Sequence, residues 1–241
     1  MGVSFTVTTP RWLRGTLPRL QTLFHQHANT EGLFPILTQQ QQDRAQQMMT
    51  TMTTTMEQEE QKGEEEGKLK RSAAILVPIV WHSDQPCVLF TKRSSQLKHH
   101  TSEISFPGGH TSEGDTNRID TALRETAEEL GGDWSSTIII GECTAIPSLR
   151  GISVTAVIGV RPEPVLFHLF NPNEVEQVFP IPVQELLSLE TSQALRRLST
   201  PAPVYPTPYG TIWGLTAYVL KPILHQLFKP VFFDGKAGKQ P

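Results

Sequence analysis

Apolar positions along the chain fall into two regimes that meet near residue 72. From Ala73 to Trp81 they form the continuous run AAILVPIVW. Such a run fits a strand buried on both faces. Asp84-Gln85-Pro86 reads as a turn, and CVLFTKR (87–93) as a second strand closing a hairpin. EISF (103–106) is a short strand ending at Pro107-Gly108-Gly109. Residues 117–130 carry helical periodicity, and Gly131-Gly132 ends that helix. TIIIGECTAI (137–146), ISVTAVIGVRP (152–162) and VEQVFPIP (175–182) read as further strands. A helix through QELLSLE follows, and WGLTAYVLKPILHQLF (213–228) predicts a C-terminal helix despite Pro222. Strands and helices mix without a regular βαβ rhythm. The class expected is α+β, a mixed sheet between helices, over residues 72–230.

Before residue 72 the pattern fails. Residues 38–71 are rich in Gln, Met, Thr and Glu and poor in aliphatic side chains. They cannot bury enough surface to offset chain ordering and read as a linker. Residues 1–37 start with Arg11, Arg14 and Arg19, and residues 1–30 hold no Asp or Glu. That is the composition of a mitochondrial transit peptide or of a disordered extension. Pro10 and Pro18 are expected to interrupt any long helix there. None of the first 70 residues is expected to be needed by the fold, and residues 231–241 read as a flexible tail.

The helix over 118–130 carries the candidate chemistry. On a helical wheel Ile119, Leu123, Thr126, Ala127 and Leu130 take one side, and Glu125, Glu128 and Glu129 the other. Like charges at these spacings destabilise a bare helix by roughly 0.2–0.5 kcal/mol per pair. A cation is expected to offset them: Arg124 from the flank, and a divalent ion. Mg²⁺ or Mn²⁺ takes carboxylate oxygens together with water and substrate phosphate. Zinc is disfavoured, because no His/Cys cluster lies nearby. Phe106-Pro107-Gly108-Gly109 adds a loop whose backbone can approach a ligand closely.

Composition then excludes rather than selects. A net charge of −3 speaks against a general nucleic-acid binder. No apolar run approaches the length of a membrane span, so no membrane partner is expected. Cys87 and Cys143 lie on strand-like runs without a CxxC partner and read as buried thiols in a reducing compartment. Oligomeric state is not legible.

The segment Gly109-x5-Asp115-x8-Arg124-Glu125-Thr126-x-Glu128-Glu129-x-Gly131 resembles the Nudix box. It departs in three ways. Asp115 replaces the usual Glu, one extra residue precedes Arg124, and Thr126 and Gly132 replace apolar residues. The first two departures recur in the branch that cleaves coenzyme A. Upstream, Leu89-Phe90-Thr91-Lys92-Arg93-Ser94-x3-Lys98-x3-Ser102-x3-Phe106-Pro107-Gly108-Gly109 resembles that branch's signature, which has Arg at 98 and Gly at 102. Asn171-Pro172-Asn173-Glu174-Val175 and Ile212 to Ala217 are similar to it too. The whole pattern, over residues 72–228, most resembles the mitochondrial coenzyme A-type Nudix hydrolases of animals.

The resemblance implies a Nudix-type mixed sheet sandwiched between helices, hydrolysing the diphosphate of coenzyme A or acyl-CoA. It implies Mg²⁺ or Mn²⁺ on Glu125, Glu128, Glu129 and the Gly109 carbonyl, with Arg124 orienting a glutamate. Glu128, Glu129 or Glu174 is the proton acceptor. Arg93, Lys98, His99, Gly108 and Gly109 form the substrate side. Other substrates compatible with the box are ADP-ribose, a dinucleotide or a capped RNA, and a silent nucleotide-binding domain is the non-enzymatic alternative. The location implied is mitochondrial, with cytoplasmic or peroxisomal as alternatives.

Overall fold

The computed structural model describes residues 11–28, 72–96, 102–143, 145–147, 152–193 and 202–233. Lys98 and His99 lie outside them, as do the linker and most of the C-terminal tail.

The long apolar run forms β1 (Ser72–His82), and β2 (Gln85–Arg93) returns antiparallel to it. The turn sits one residue earlier than expected, at Ser83-Asp84. Both residues are left-handed, at φ 49° and 61°, as a two-residue hairpin turn demands. The register Trp81↔Pro86 therefore keeps Gln85 and Pro86 in the strand. β3 (Ile104–Ser105) and β4 (Gly108–His110) follow.

β1 and β2 pair only where Ile79–His82 meets Gln85–Val88. Beyond that they part: Ala73–Ile75 of β1 takes β4 as partner, while Thr91 and Lys92 of β2 take β3. The loop Phe106-Pro107 bridges the split, and the Pro107 carbonyl accepts from the Leu76 N–H at 2.9 Å. The sheet is completed by β5 (Ile138–Glu142), β6 (Ile146–Pro147), β7 (Ser153–Val160) and β8 (Val175–Pro182). β7 runs parallel to β1 and the other pairings are antiparallel, so the sheet is mixed. The single strand expected over 137–146 is broken in two: the register slips between Ile139 and Gly141, β5 ends at Glu142, and β6 pairs with β7 at Ile146 and Pro147.

Each face of the sheet is covered. Ala74, Leu76, Val80, Leu89, Val157 and Val178 pack under α2 (Arg118–Leu130). Val77, Ile79, Val88, Phe90, Ile158 and Phe179 pack on the other face. That face is covered by α3 (Val183–Leu189), α4 (Gly214–Pro222), a π-helical stretch (Ile223–Phe228) and α5 (Lys229–Phe232). Double coverage explains the unbroken apolar run of β1. The C-terminal helix continues through Pro222. That proline lacks the N–H for the regular ladder, and the wider π register follows it. A small sheet of β9 (Thr191–Gln193), β10 (Ala202–Thr207) and β11 (Gly210–Ile212) was not anticipated.

Within the region expected to be a transit peptide or a disordered extension, Arg11–Ala28 form a helix, α1. Leu13 and Leu20 are fully buried, and Phe24 lies on Gly141 of β5. Arg19 donates to the Pro230 carbonyl of α5 at 2.8 Å. Pro18 sits inside this helix and does not interrupt it. An interior proline costs roughly 3 kcal/mol. Burying three large apolar side chains returns roughly 1.5–3 kcal/mol each, so packing outweighs the break. No helix among the described residues is long and apolar enough to cross a membrane.

Candidate active site

The split between β1 and β2 opens beside the last two turns of α2. Asn117 starts that helix, its side-chain oxygen accepting from the Asp120 N–H at 2.9 Å. Gly131 ends it at φ 68°.

Arg124 is the hub. Its Nε and Nη2 grip the two oxygens of Asp115 at 2.8 and 2.9 Å. Nη2 also donates to the His110 carbonyl at 3.0 Å. Nη1 donates to Glu125 at 2.9 Å and to Glu128 at 3.0 Å. The fork on Asp115 holds the guanidinium far above its ordinary range and the Asp115 carboxyl far below the usual carboxylate range. Asp115 also accepts from the Ser112 N–H and the Thr121 hydroxyl. Asp115 was read only as a departure from the box. The structure makes it the anchor of Arg124, and its spacing from Arg124 was the signal available.

The three glutamates do not share one solvated side. Glu129 sits about 40° round the helix from Glu125, toward the buried Ala122 and Thr126. Glu128 sits about 60° away on the other side of Glu125. Accordingly the Glu129 side chain is 5 % exposed, that of Glu125 17 % and that of Glu128 54 %. Glu128 turns to Arg124, whereas Glu125 and Glu129 turn to the glycine loop. Among the described residues no three His, Cys, Asp or Glu side chains lie around a single point ready for a metal.

Both glycines of the loop are required. Gly108 has φ 145° and lies flat on the Ala74 and Ile75 backbone, where no side chain fits. Its N–H donates to Glu129 Oε2 at 3.3 Å. A Cβ at Gly109 would occupy the place of the Glu125 carboxylate. Burial pushes Glu125 up, and pushes Glu129 up to about 8, against the pull of Arg93 and of the Gly108 N–H. Glu129 is therefore a buried carboxylate short of positive charge. These hard oxygen donors beside an open backbone suit a divalent cation such as Mg²⁺ or Mn²⁺.

Two further residues come in from the strands. Arg93, at the end of β2, places Nη1 3.7 Å from Glu129 Oε1. Its Nε is buried and has no partner among the described residues. Glu174, just before β8, is half-buried, and its charge acts on both Glu125 and Glu129. The Asn171 side-chain amide donates to Glu174 Oε1 at 3.2 Å. The structure thus gathers Arg93, Gly108, Gly109, Arg124, Glu125, Glu128, Glu129 and Glu174 at one end of the sheet. Ser102, where the resembling signature has glycine, is left-handed at φ 58° and donates its N–H to the Arg93 carbonyl.

Comparison with known proteins identifies the family. The model of the NUDIX domain matches residues 70–201. A protein of Yersinia enterocolitica named "Uncharacterized Nudix hydrolase NudL" is 36% identical over 159 residues, covering 64% of this chain and 80% of that protein. The protein of the same name from Yersinia pestis is 35% identical over 161 residues, covering 65% and 80%. A crystal structure of a MutT/nudix family protein from Enterococcus faecalis superposes with a TM-score of 0.45 at 16% identity, over 74% of this chain and 69% of that one. The chain belongs to the Nudix hydrolase family and is a diphosphatase acting on a nucleoside diphosphate derivative.

Proposed function

We propose that the substrate is coenzyme A or a short acyl-CoA, cleaved at its diphosphate to (acyl-)4′-phosphopantetheine and adenosine 3′,5′-bisphosphate. The observation that carries this reading is Arg93. Its guanidinium stands at the end of β2 beside Glu129, with a buried Nε lacking a partner among the described residues. A buried donor without an acceptor is costly, and an anionic ligand oxygen relieves it. Arg93 belongs to the segment from Leu89 to Gly109 that resembles the coenzyme A signature.

Glu125, Glu129, Glu128 and the Gly109 carbonyl would hold Mg²⁺ or Mn²⁺. When bound, the cation neutralises diphosphate oxygens and offsets charge developing at phosphorus. Arg124 holds Glu125 and Glu128 in place through its fork on Asp115. Glu174 accepts the proton of the attacking water. Glu128 is engaged by Arg124, and Glu129 by Gly108 and Arg93, whereas Glu174 is bonded through Oε1 and leaves its other oxygen for the water. The water oxygen bonds to phosphorus, the bridging P–O bond breaks, and its electron pair stays on the departing phosphate. Arg93 and the basic segment through Lys98 and His99 take the phosphates of the adenosine half. A mitochondrial location is proposed as well, on the Arg-rich composition of residues 1–30.

The test is a panel of coenzyme A, acetyl-CoA, dephospho-coenzyme A, ADP-ribose, a dinucleotide and a capped RNA, with Mg²⁺ or Mn²⁺ and products resolved by chromatography. Coenzyme A is expected to exceed ADP-ribose in kcat/KM by about ten- to a hundredfold, the worth of one charge-assisted contact. Arg93→Ala should shrink that ratio. Equal values for coenzyme A, its dephospho form and ADP-ribose would remove the coenzyme A assignment and leave a Nudix diphosphatase of other specificity.

A further inference from the structure

The loop between β7 and β8 enters the site along a densely bonded path, and Asn171 is its centre. Its backbone N–H donates to the Glu129 carbonyl at 2.8 Å. Its own carbonyl accepts from the N–H groups of Glu174 at 3.1 Å and Val175 at 2.9 Å. Its side-chain oxygen accepts from the Asn173 N–H at 3.1 Å. Its side-chain amide then donates to Glu174 Oε1 at 3.2 Å. On the far side, the Glu174 carbonyl accepts from the Ser94 N–H at 2.9 Å, next to Arg93.

Each of these bonds has a distinct mechanical consequence. The bond to the Glu129 carbonyl fixes the loop to the last turn of α2, the turn that carries Glu129. The two bonds to the Asn171 carbonyl fold Asn171–Val175 into a tight turn that ends where β8 begins. The bond from Ser94 ties the Glu174 backbone to the end of β2. What remains free after all this is the Glu174 side chain, and the Asn171 amide removes that freedom. An amide nitrogen donates and cannot accept, so it holds one carboxylate oxygen and fixes which oxygen faces away.

We infer that Asn171 is a positioning residue: it couples the Glu174 carboxylate to the C-terminal turn of α2, so that Glu174 and Glu129 face the reacting diphosphate as one rigid pair. This inference rests on the assignment of Glu174 as proton acceptor. The fold itself gives no reason for an amide here, because the turn is closed by backbone groups and the side-chain oxygen alone reaches Asn173. The electrostatic effect of Glu174 on both Glu125 and Glu129 accords with its carboxylate being held toward them. Displacing a reacting group by about 1 Å can cost about a hundredfold in rate.

The test is a double-mutant cycle on the full-length protein with Mg²⁺, using whichever nucleoside diphosphate derivative it cleaves best. Asn171→Asp retains the oxygen that accepts from Asn173 and removes the donor to Glu174. It is expected to lower kcat by about ten- to a hundredfold and to leave KM within about threefold. The thermal midpoint of Asn171→Asp should stay near wild type, since every backbone bond of the turn remains. Asn171→Ala removes the amide without adding charge and should show the same fall in kcat with KM little changed. In the Glu174→Gln background, either substitution at Asn171 should cost almost nothing further, as expected when two residues act as one unit. Full additivity with Glu174→Gln would overturn the inference while leaving Glu174 in its role. Wild-type kcat in Glu174→Gln alone would overturn the role of Glu174 and the inference together. A fall in kcat that merely follows loss of folded protein, with the rate per folded molecule unchanged, would make Asn171 a structural residue and overturn it too.

Discussion

The substitution Glu129→Gln should stabilise the metal-free protein while weakening its response to Mg²⁺ or Mn²⁺. The reason is the position of Glu129 on the sheet side of α2, 5 % exposed, where burial pushes its carboxyl from 4.5 up to about 8. In the unfolded chain the group ionises near 4.5, so at pH 7 folding must return a proton to it. At about 1.36 kcal/mol per pH unit, the gap from 4.5 to 7 costs about 3 kcal/mol. The cost is absent below about pH 4.5, grows as pH rises through 7, and levels off above about 8. A glutamine side chain in this place is neutral throughout, keeps an oxygen for the Gly108 N–H and does not carry this cost. For a chain of this size 1 kcal/mol is worth roughly 2–4 °C. In EDTA the variant should therefore unfold about 6–12 °C above wild type at pH 7, and by much less at pH 5. Adding Mg²⁺ or Mn²⁺ should raise the wild-type midpoint, most at high pH where the ionised carboxylate is ready to bind it. The variant should gain much less, and its kcat should fall by roughly a hundredfold or more. Thermal unfolding by circular dichroism at pH 5, 7 and 8.5, with and without metal, reads all of this. A metal-free variant that melts below wild type at pH 8.5 would show that Glu129 is not an uncompensated buried carboxylate.

Ser102→Gly should raise stability by about 0.5–1 kcal/mol without changing kcat, because Ser102 is held at φ 58°, where glycine avoids the steric cost; denaturant midpoints measure it. Arg124→Lys should lower kcat at least about tenfold, since an ammonium cannot grip both oxygens of Asp115 while also reaching Glu125 and Glu128; Asp115→Asn should fall in the same direction, and a Lys variant at wild-type rate would show that the fork is dispensable. Phe24→Ala should destabilise by about 3–5 kcal/mol, and a chain starting at Lys70 should melt well below the full chain, with activity at low temperature kept in both; an unchanged midpoint would mean that α1 contributes nothing to the folded domain.

The helix α2 was legible to the residue because its signals are local: Asn117 caps one end and Gly131 the other. β8 was equally plain, since its apolar run stands between Asn171-Pro172-Asn173 and α3. The three glutamates were legible as chemistry but not as geometry. A wheel sorts residues into two halves, whereas the sheet wraps far enough round α2 to cover Glu129 beside Ala122. Asp115 and Asn171 were hidden for a different reason. Their contribution is to hold another side chain: spacing offered a hint for Asp115, which follows the box pattern toward Arg124, and none for Asn171. The β9–β11 sheet escaped because β9 and β11 are three residues each and β10, APVYPT, carries two prolines, and their stability comes from packing. Tyr205 is fully buried there, with its hydroxyl on Glu190.

The N-terminal helix shows how one composition supports two physical roles. Arg11, Arg14 and Arg19 without acidic residues suit an import leader, and an amphipathic leader must offer its apolar face to other proteins. In the folded chain that same face is taken: Leu13, Leu20 and Phe24 are buried against β5, the π-helical stretch and α5. The two roles can share one helix only in sequence, with the face free before folding and covered after it. A cut after Ala28 would expose the side of the sheet around Gly141 and leave the Pro230 carbonyl without Arg19. A cut before Arg11 would leave every one of these contacts intact. If residues 1–35 direct the chain to mitochondria, the packing of α1 therefore favours a short leader, or one that is never removed, over the long one that composition alone suggests.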